Sequence, residues 1–434
     1  LTLSYPCSAT AEKRELFPSQ ALLSAFRIAG GNRNADHKDM EKAVECVSFS
    51  PCIPEKSGTM TEWWPAVLCG EEKILNASEV MSGLHPGLAQ GLIALKERSS
   101  CTLTAYDGFV PAAGKDLAPF ADDGFIFSSG SLELLLSSPL DFFFERILGL
   151  EEPEEEIIDF SVWLDPMTRG TLLHQAFREF MSRITQRKET PSFALHSEKL
   201  NAIIDEQIAL HSSVCPPYNP IAFKEETRDL HRAATIFLAG EESHCANSIP
   251  RYFETSIGLP REGSGTSLDS PEPVALPLAG GKAIRLRARI DRIDQVPGNK
   301  PLFTVWDYKT GSSKYFNREK PFDKGHLQHL LYMGAAETVL REKISDEAHV
   351  ILFGYFFPTR KGGGRRISWE RTTLLEGLPR LLSLIKLARE GYFHYSTDKD
   401  VITRSAYTDA VIDPLLAMEQ AKRKALSFTG KESE

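Results

Sequence analysis

Several features are scarce or missing in this chain, and each shortage removes a class of function. No apolar run approaches the roughly 20 residues that cross a bilayer. The opening Leu1-Thr-Leu-Ser-Tyr-Pro6 has neither the basic region nor the long apolar stretch of a secretory signal. Cytoplasmic residence without a membrane is therefore expected. An initiator Met is also missing, so the expectation is a segment of a longer polypeptide. The seven cysteines, at 7, 46, 52, 69, 101, 215 and 245, form no C-x-x-C pair. Such an odd, unpatterned set fits free thiols in a reducing compartment. No G-x-x-x-x-G-K-[ST] loop is present, so no ATP site is visible. A G-x-S-x-G elbow and a His-rich zinc motif are also absent, which leaves little support for serine or zinc hydrolase chemistry. Positive charge is short as well: 50 Lys and Arg against 59 Asp and Glu, a formal net charge of −9. That balance argues against a charge-driven nucleic-acid coat, although an acidic metal site can offset a local basic channel.

At 434 residues, 42 % hydrophobic and 25 % charged, the chain has the composition of an ordinary globular protein of two or three domains. Residues 1–120 mix helical stretches, among them Glu41–Val47 and Leu88–Glu97, with Gly/Pro-rich breaks. They are read as an adaptor, and residues 121–434 as the main domain. Ser131–Leu150 has the pattern of a Phe-rich helix pair, and Glu151–Glu156 that of a solvated acidic loop. Thr168 is a candidate N-cap for a helix whose apolar face is Leu173, Ala176, Phe177, Phe180 and Ile184. Helical sequence continues to about Cys245, and 261–281 is read as a loop.

Two predicted strands carry the chemistry. Within Phe303–Gly311, Asp307 and Lys309 stand at i and i+2, so a carboxylate and an ammonium share one strand face while Trp306 and Tyr308 take the other. Upstream, Ile284, Leu286, Ala288 and Ile290 alternate with Arg285, Arg287, Arg289 and Asp291, which predicts one strand with its Arg/Asp face outward. Two carboxylates and a lysine on neighbouring strands meet the needs of metal-dependent phosphodiester hydrolysis. Asp291 and Asp307 would hold Mg²⁺ or Mn²⁺, the backbone carbonyl of Tyr308 adding a ligand. Lys309 would orient the attacking water or stabilise charge on phosphorus; a plain salt bridge to Asp307 is the alternative. Val350–Phe357 is expected to pair through a glycine-rich turn with Ile367–Arg371, and Leu378–Arg389 to form a helix. The basic turn Arg360–Arg366 is either a phosphate-contacting finger or a solvated hairpin tip.

The order Gly170-Thr-Leu-Leu-His174, Glu254 in Arg251–Ile257, Asp291, Asp307-Tyr-Lys-Thr-Gly311 and Gln328-x-x-x-Tyr332 resembles the RecB-type branch of the PD-(D/E)XK nuclease superfamily. More narrowly, it is similar to the C-terminal part of AddB-like subunits of helicase–nuclease complexes. The likeness extends from about Glu15 to Val411 and includes Leu16–Ser19, Leu103–Phe109, Ser129-Gly-Ser-Leu-Glu133 and Ser138–Leu150. It implies an α/β, restriction-endonuclease-like core in which a mixed sheet is flanked by helices. The implied activity is that of a DNA nuclease, most simply an exonuclease, in double-strand-break repair. A helicase-like upstream region and a helicase–nuclease partner subunit are implied with it. His174 becomes a metal ligand rather than a structural histidine, and Glu254 an acid linked to the metal rather than a surface charge. Gln328 and Tyr332, which share a helix face, would position the DNA strand or Lys309. Arg289, Arg292 and Asp294 would supply support and phosphate contacts. Members of this branch often carry a four-cysteine iron–sulfur cluster, but the corresponding positions here fall on Ser138, Ile402, Ser405 and Val411. No cluster is expected, with packing of the apolar residues in its place. A catalytically silent DNA-binding scaffold of the same fold is the competing reading.

Overall fold

The computed structural model describes residues 8–9, 14–15, 17–43, 53–69, 76–84, 86–151, 159, 161–261, 265–322, 325–396, 398–407, 416–420 and 424. They form two compact units, Leu1–Leu95 and Lys96–Glu434. The first is helical, with Gln20–Gly30, His37–Ala43, Met60–Cys69 and Ala77–Leu84 as its main segments. Ser19 caps the first of these by accepting from Leu22 N. The expected helix from Glu41 is described only as far as Ala43, its remainder lying outside the described residues; that from Leu88 lies within Pro86–Ser99. The expected boundary near residue 120 falls inside the second unit. There Val110 N donates to Gly391 O and Phe393 N to Gly108 O, tying residues 108–110 to the end of a C-terminal helix.

The elements of the second unit, in chain order, are β1 (Ile126–Phe127), α1 (Ser129–Ser137), α2 (Pro166–Gln186), α3 (Phe193–Val214), α4 (Pro220–His244), β2 (Ile249–Ile257), β3 (Val274–Pro277), β4 (Ala283–Leu286), β5 (Ala288–Gln295), β6 (Leu302–Tyr308), α5 (Gln328–Lys343), β7 (His349–Phe356), β8 (Arg366–Glu370) and α6 (Leu378–Glu390). The main sheet has the order β8-β7-β6-β5-β2 and is mixed: β6 and β7 run parallel, the other pairs antiparallel. Parallel neighbours need a crossover, and α5 supplies it between β6 and β7. A smaller sheet, β1-β4-β3, stands beside it.

Strand alternation puts each face of the main sheet against its own helices. Phe303 and Val305 join Leu330, Leu331 and Val339 of α5 in one core. Tyr308, Phe253 and Phe356 point the other way, into the layer of α2, α3 and α4. There Phe177 and Phe237 stack with ring centroids 3.8 Å apart. Helix α4 can sit this close to the sheet because Gly240 faces the Phe356 ring, where an added Cβ would lie 2.6 Å from a ring carbon. Apolar groups thus cover both faces of β6, and its C-terminal end alone opens to the site.

Four features differ from the sequence reading. The predicted strand through 283–291 breaks at Arg287, so β4 and β5 belong to different sheets. The predicted loop 261–281 contains β3. Helix α2 is capped by Asp165, not Thr168: Asp165 Oδ1 accepts from Met167 N at 2.8 Å and Thr168 N at 3.0 Å, and Pro166 fits the first turn. Ile290 and Ile293 both enter the α5-side core, so alternation in β5 is interrupted at Asp291.

That interruption turns Arg292 inward, where it is fully buried. Its guanidinium forks onto Asp294, with Nε to Oδ1 at 2.6 Å and Nη2 to Oδ2 at 2.9 Å, and it also donates to Glu241. Arg366 donates to the other Glu241 oxygen at 2.6 Å, while His244 and Ser248 meet Asp294 Oδ2 at 3.0 and 2.8 Å. Two guanidiniums against two carboxylates leave the network formally balanced, which is the condition for burying charge. Arg292 therefore reaches no phosphate, correcting its expected substrate-positioning role. Arg366, expected in the basic turn, is likewise a structural cation. Burial alone would raise the Asp294 carboxyl, but the Arg292 charge outweighs it and holds the group well below the ordinary carboxylate range.

Arg292→Met leaves two carboxylates short of a partner and is expected to cost about 3–5 kcal/mol, read by urea unfolding. Because the folded-state pKa of Asp294 is depressed, its contribution is present above the ordinary carboxylate pKa of about 4 and lost as pH falls below it. Unfolding free energy should drop on that acid limb, and Asp294→Asn should flatten it while lowering stability at neutral pH.

Candidate active site

Six predicted residues converge at the C-terminal end of β6, lining one cavity of about 380 Å³: His174, Glu254, Asp291, Asp307, Lys309 and Gln328. Arg289, Tyr308 and Tyr332 line it too. Each arrives by a different device. His174 lies two turns into α2, beside the buried Leu173, Ala176 and Phe177. Its Nε2 is 3.0 Å from the Tyr308 carbonyl oxygen. A carbonyl only accepts, so Nε2 carries the proton and Nδ1 is left to the acids. Nδ1 stands 3.4 Å from Asp291 Oδ2 and 3.7 Å from Glu254 Oε1.

Glu254 is buried at 8 % exposure and has φ of 53°, the left-handed region that a glutamate enters at a cost of about 1–3 kcal/mol. It stands in β2 opposite the break in β5, between the Phe253–Arg292 and Thr255–Ile290 pairs. Strain at this one position of an otherwise extended strand marks it as held by its surroundings. Asp291 is positioned by the backbone: Tyr308 N donates to its Oδ2 at 2.7 Å.

Asp307 and Lys309 form the second half of the site. Lys309 Nζ lies 2.8 Å from Asp307 Oδ2 and donates to Gln328 Oε1 at 2.8 Å. Gln328 Nε2 donates to Asp307 Oδ1 at 2.9 Å, so its amide bridges the acid and the base. The ammonium also lies 5.2 Å from the centre of the Tyr355 ring, a cation–π distance. Asp307 Oδ2 is buried and takes no hydrogen bond of good geometry, the ammonium facing it only as an ion pair.

Electrostatics follow from this crowding. Burial and the neighbouring Asp307 push the Asp291 carboxyl well above its usual range. Burial opposes charge on His174, but Asp291 and Glu254 outweigh it and raise the imidazole to about 9. Burial likewise opposes charge on Lys309, and Asp307 overcomes it, so the lysine stays cationic. A site that lifts a carboxyl and an imidazole together has acids crowded more closely than its cations offset, Arg178 and Arg289 standing on the cavity wall.

A divalent cation fits that deficit. Nδ1 of His174 and carboxylate oxygens of Glu254 and Asp291 lie within 4.8 Å of one another. Hard oxygen donors suit Mg²⁺ or Mn²⁺, and the imidazole nitrogen favours Mn²⁺. Asp307 stands outside this triad but brings an unsatisfied oxygen to the same cavity. Tyr308 lines the same cavity, and its carbonyl, expected as a ligand, contacts the His174 imidazole at 3.0 Å.

Sequence reasoning missed Glu133, Arg178 and Tyr355. Glu133 Oε1 accepts from Leu327 N at 2.7 Å and Gln328 N at 3.0 Å, capping α5 at the residue that bridges Asp307 and Lys309. Its motif, Ser129-Gly-Ser-Leu-Glu133, stands out in the sequence, but nothing local pairs it with residue 327. Arg178 lines the cavity from α2. It stands four residues after His174, a helical spacing that could have found it. Tyr355 OH donates to Gln328 Oε1 at 3.3 Å. Of the positions expected to replace a cluster, Ser138 caps a short helix by accepting from Asp141 N, and Ser405 Oγ donates to Asp141 Oδ1 at 2.8 Å beside the buried Ile402. The joint is thus partly polar rather than the expected apolar packing; Val411 lies outside the described residues.

Calorimetry with Mn²⁺ should give a binding isotherm that Asp291→Asn weakens by at least roughly tenfold, since removing one ligand costs more than removing a supporting contact. Glu133→Ala should lower metal affinity or turnover roughly 10–100-fold, with Glu133→Gln recovering part of the loss because its amide oxygen still accepts.

Three comparisons bear on this geometry. The model of the PD-(D/E)XK nuclease superfamily matches residues 126–417, more than half of the chain and all of the site. An ATP-dependent helicase/deoxyribonuclease subunit of Oenococcus oeni is 25 % identical over 216 residues, covering 47 % of this chain and 17 % of that protein. The chain thus spans less than a fifth of that relative's length. The crystal structure of a “Putative exonuclease” from Eubacterium rectale superposes at a TM-score of 0.35 with 11 % identity, over 70 % of this chain and 94 % of that one. With a mixed sheet flanked by helices, and Asp307-Tyr308-Lys309 at the end of its central strand, the chain belongs to the PD-(D/E)XK nuclease superfamily.

Proposed function

We propose that the protein is a divalent-metal-dependent deoxyribonuclease that hydrolyses phosphodiester bonds by water attack, acting as an exonuclease on DNA ends. The observation that carries this reading is the convergence of His174, Glu254 and Asp291 next to the Asp307–Lys309–Gln328 relay. When bound, Mg²⁺ or Mn²⁺ would supply Lewis-acid polarisation of the phosphate and a more acidic water. His174, Glu254 and Asp291 would hold it, and Asp307 faces the same cavity.

The chain's own groups do the rest. Lys309 has three N–H donors; one goes to Gln328 Oε1 and the ammonium faces Asp307 as an ion pair, which leaves donor capacity for a water or a non-bridging phosphate oxygen. Because Asp307 keeps the lysine protonated, it works as an orienting and charge-stabilising group and not as a general base at neutral pH. Gln328 fixes the lysine's position, Tyr355 and Glu133 fix Gln328, and Tyr332 closes one wall. Arg289 lines the mouth, where a guanidinium can meet the phosphate on either side of the scissile one.

By similarity to the helicase/deoxyribonuclease relative, the setting we propose is a helicase–nuclease assembly that processes double-strand breaks, with a partner subunit supplying translocation. No helix among the described residues is long and apolar enough to cross a membrane; a cytoplasmic setting belongs to the same proposal.

End-labelled linear DNA incubated with Mg²⁺ or Mn²⁺ should be degraded by the wild type, and EDTA should stop the reaction. Lys309→Ala should reduce the rate by about 10²–10³, the loss typical of one charge-stabilising donor, and Asp307→Ala by at least as much. Wild-type protein that binds DNA without cleaving it under any metal would replace this reading with a catalytically silent scaffold.

A further inference from the structure

Beside the catalytic cavity lies a second one of about 410 Å³, walled by Arg178, Ser182 and Arg183 of α2, Arg251 of β2, and Thr266 and Ser267 of the following loop. Arg178 lines both cavities, so they adjoin. Along α2, His174, Arg178, Ser182 and Gln186 recur every four residues and form one stripe. At 1.5 Å per residue that stripe runs about 18 Å from the imidazole, the length of several nucleotides.

The chemistry of the walls is consistent. Three guanidiniums face the space against one carboxylate, Glu179, which pairs with Arg183. Arg251 donates through Nε to Gln295 at 2.9 Å, which holds its guanidinium plane. Ser182 and Thr185 add hydroxyls, groups that contact phosphate and sugar without reading bases; the Thr266 hydroxyl is already donated to Asp269 Oδ1 at 3.1 Å. Tyr252, half-buried and packed against the core, contributes aromatic surface to the same wall, the residue type on which bases stack. The volume is that of a pocket for one small ligand, room for about one nucleotide of an extended strand at a time.

We propose that this arginine-walled cavity is the binding track for the single nucleic-acid strand that enters or leaves the catalytic cavity, its phosphates held by Arg178, Arg183 and Arg251. The track rests on the nuclease reading for its purpose. It does not rest on that reading for its existence, because strand binding needs no catalysis.

The test is fluorescence anisotropy of a labelled single-stranded DNA oligonucleotide, with EDTA present, over a salt series. Arg183→Ala/Arg251→Ala should weaken binding at least roughly tenfold and reduce the slope of log K against log salt by about 1.4, two single-strand phosphate contacts at about 0.7 each. Arg228→Ala/Arg232→Ala removes the same charge from the exposed face of α4, where these arginines pair with Glu225 and Asp229, and should leave the slope unchanged. A strand carrying a photoactivatable base should cross-link to wild-type peptides containing Tyr252 or residues 182–186, which keeps the test independent of how any variant folds. Equal affinity and slope for the two double variants, cross-links confined to other segments, or a wild type that does not bind the strand would each overturn the track. Binding and cross-linking as expected, with no metal-dependent cleavage by the wild type, would leave the track standing and remove the nuclease reading instead.

Discussion

Tyr308 is the residue on which the rest of the site depends, because each of its three polar groups fixes something different. Its backbone N–H holds Asp291, its carbonyl holds the His174 imidazole, and its phenol accepts from the buried Arg292 at 3.2 Å. The ring packs among Phe177, Phe237 and Phe356 in the helix layer. One residue at the end of β6 therefore registers strand β5, helix α2 and the charged network against one another. The middle residue of Asp307-Tyr308-Lys309 is thus the pivot, and the flanking Asp307 and Lys309 take the opposite face of the strand.

Two charge clusters lie on either side of that pivot and obey opposite rules. Below it, Arg292 and Arg366 balance Glu241 and Asp294, and the ion pairs are complete without solvent. Above it, three carboxylates crowd together in a partly open cavity whose walls also carry Lys309, Arg178 and Arg289, and the neighbouring acids draw an imidazole toward protonation. The ion pairs of the first cluster are made within the protein, while the second gathers an imidazole nitrogen and carboxylate oxygens around a space that a cation could enter. Strain points the same way: Glu254 keeps a left-handed backbone within a strand, a cost that the surrounding fold must offset.

Much of this was legible in the sequence because the signals were local. Alternation in 303–309 places Asp307 and Lys309 on one face, and α2 displays its apolar stripe at helical spacing. The family order of His, Glu, Asp, Asp-Tyr-Lys and Gln gathered residues from five elements that no local rule connects. What escaped was set by distant partners. Arg292 has the look of a surface arginine until Glu241, 51 residues away, is brought beneath it by α4. Glu133 acts across 194 positions on the start of α5. Asp165-Pro166 outcompeted Thr168 as a cap because a carboxylate followed by proline both accepts and presets the first turn. The break in β5 left no mark in the pattern, since Ile290 and Ile293 are both ordinary strand residues.

Crystals grown with Mn²⁺ and measured at its absorption edge would test the central claim most directly. The account predicts one anomalous peak bounded by His174 Nδ1, Glu254 and Asp291, with the Tyr308 carbonyl still on His174 Nε2. A cavity without a peak at saturating Mn²⁺, or a peak elsewhere with His174 left in contact with the acids, would contradict it.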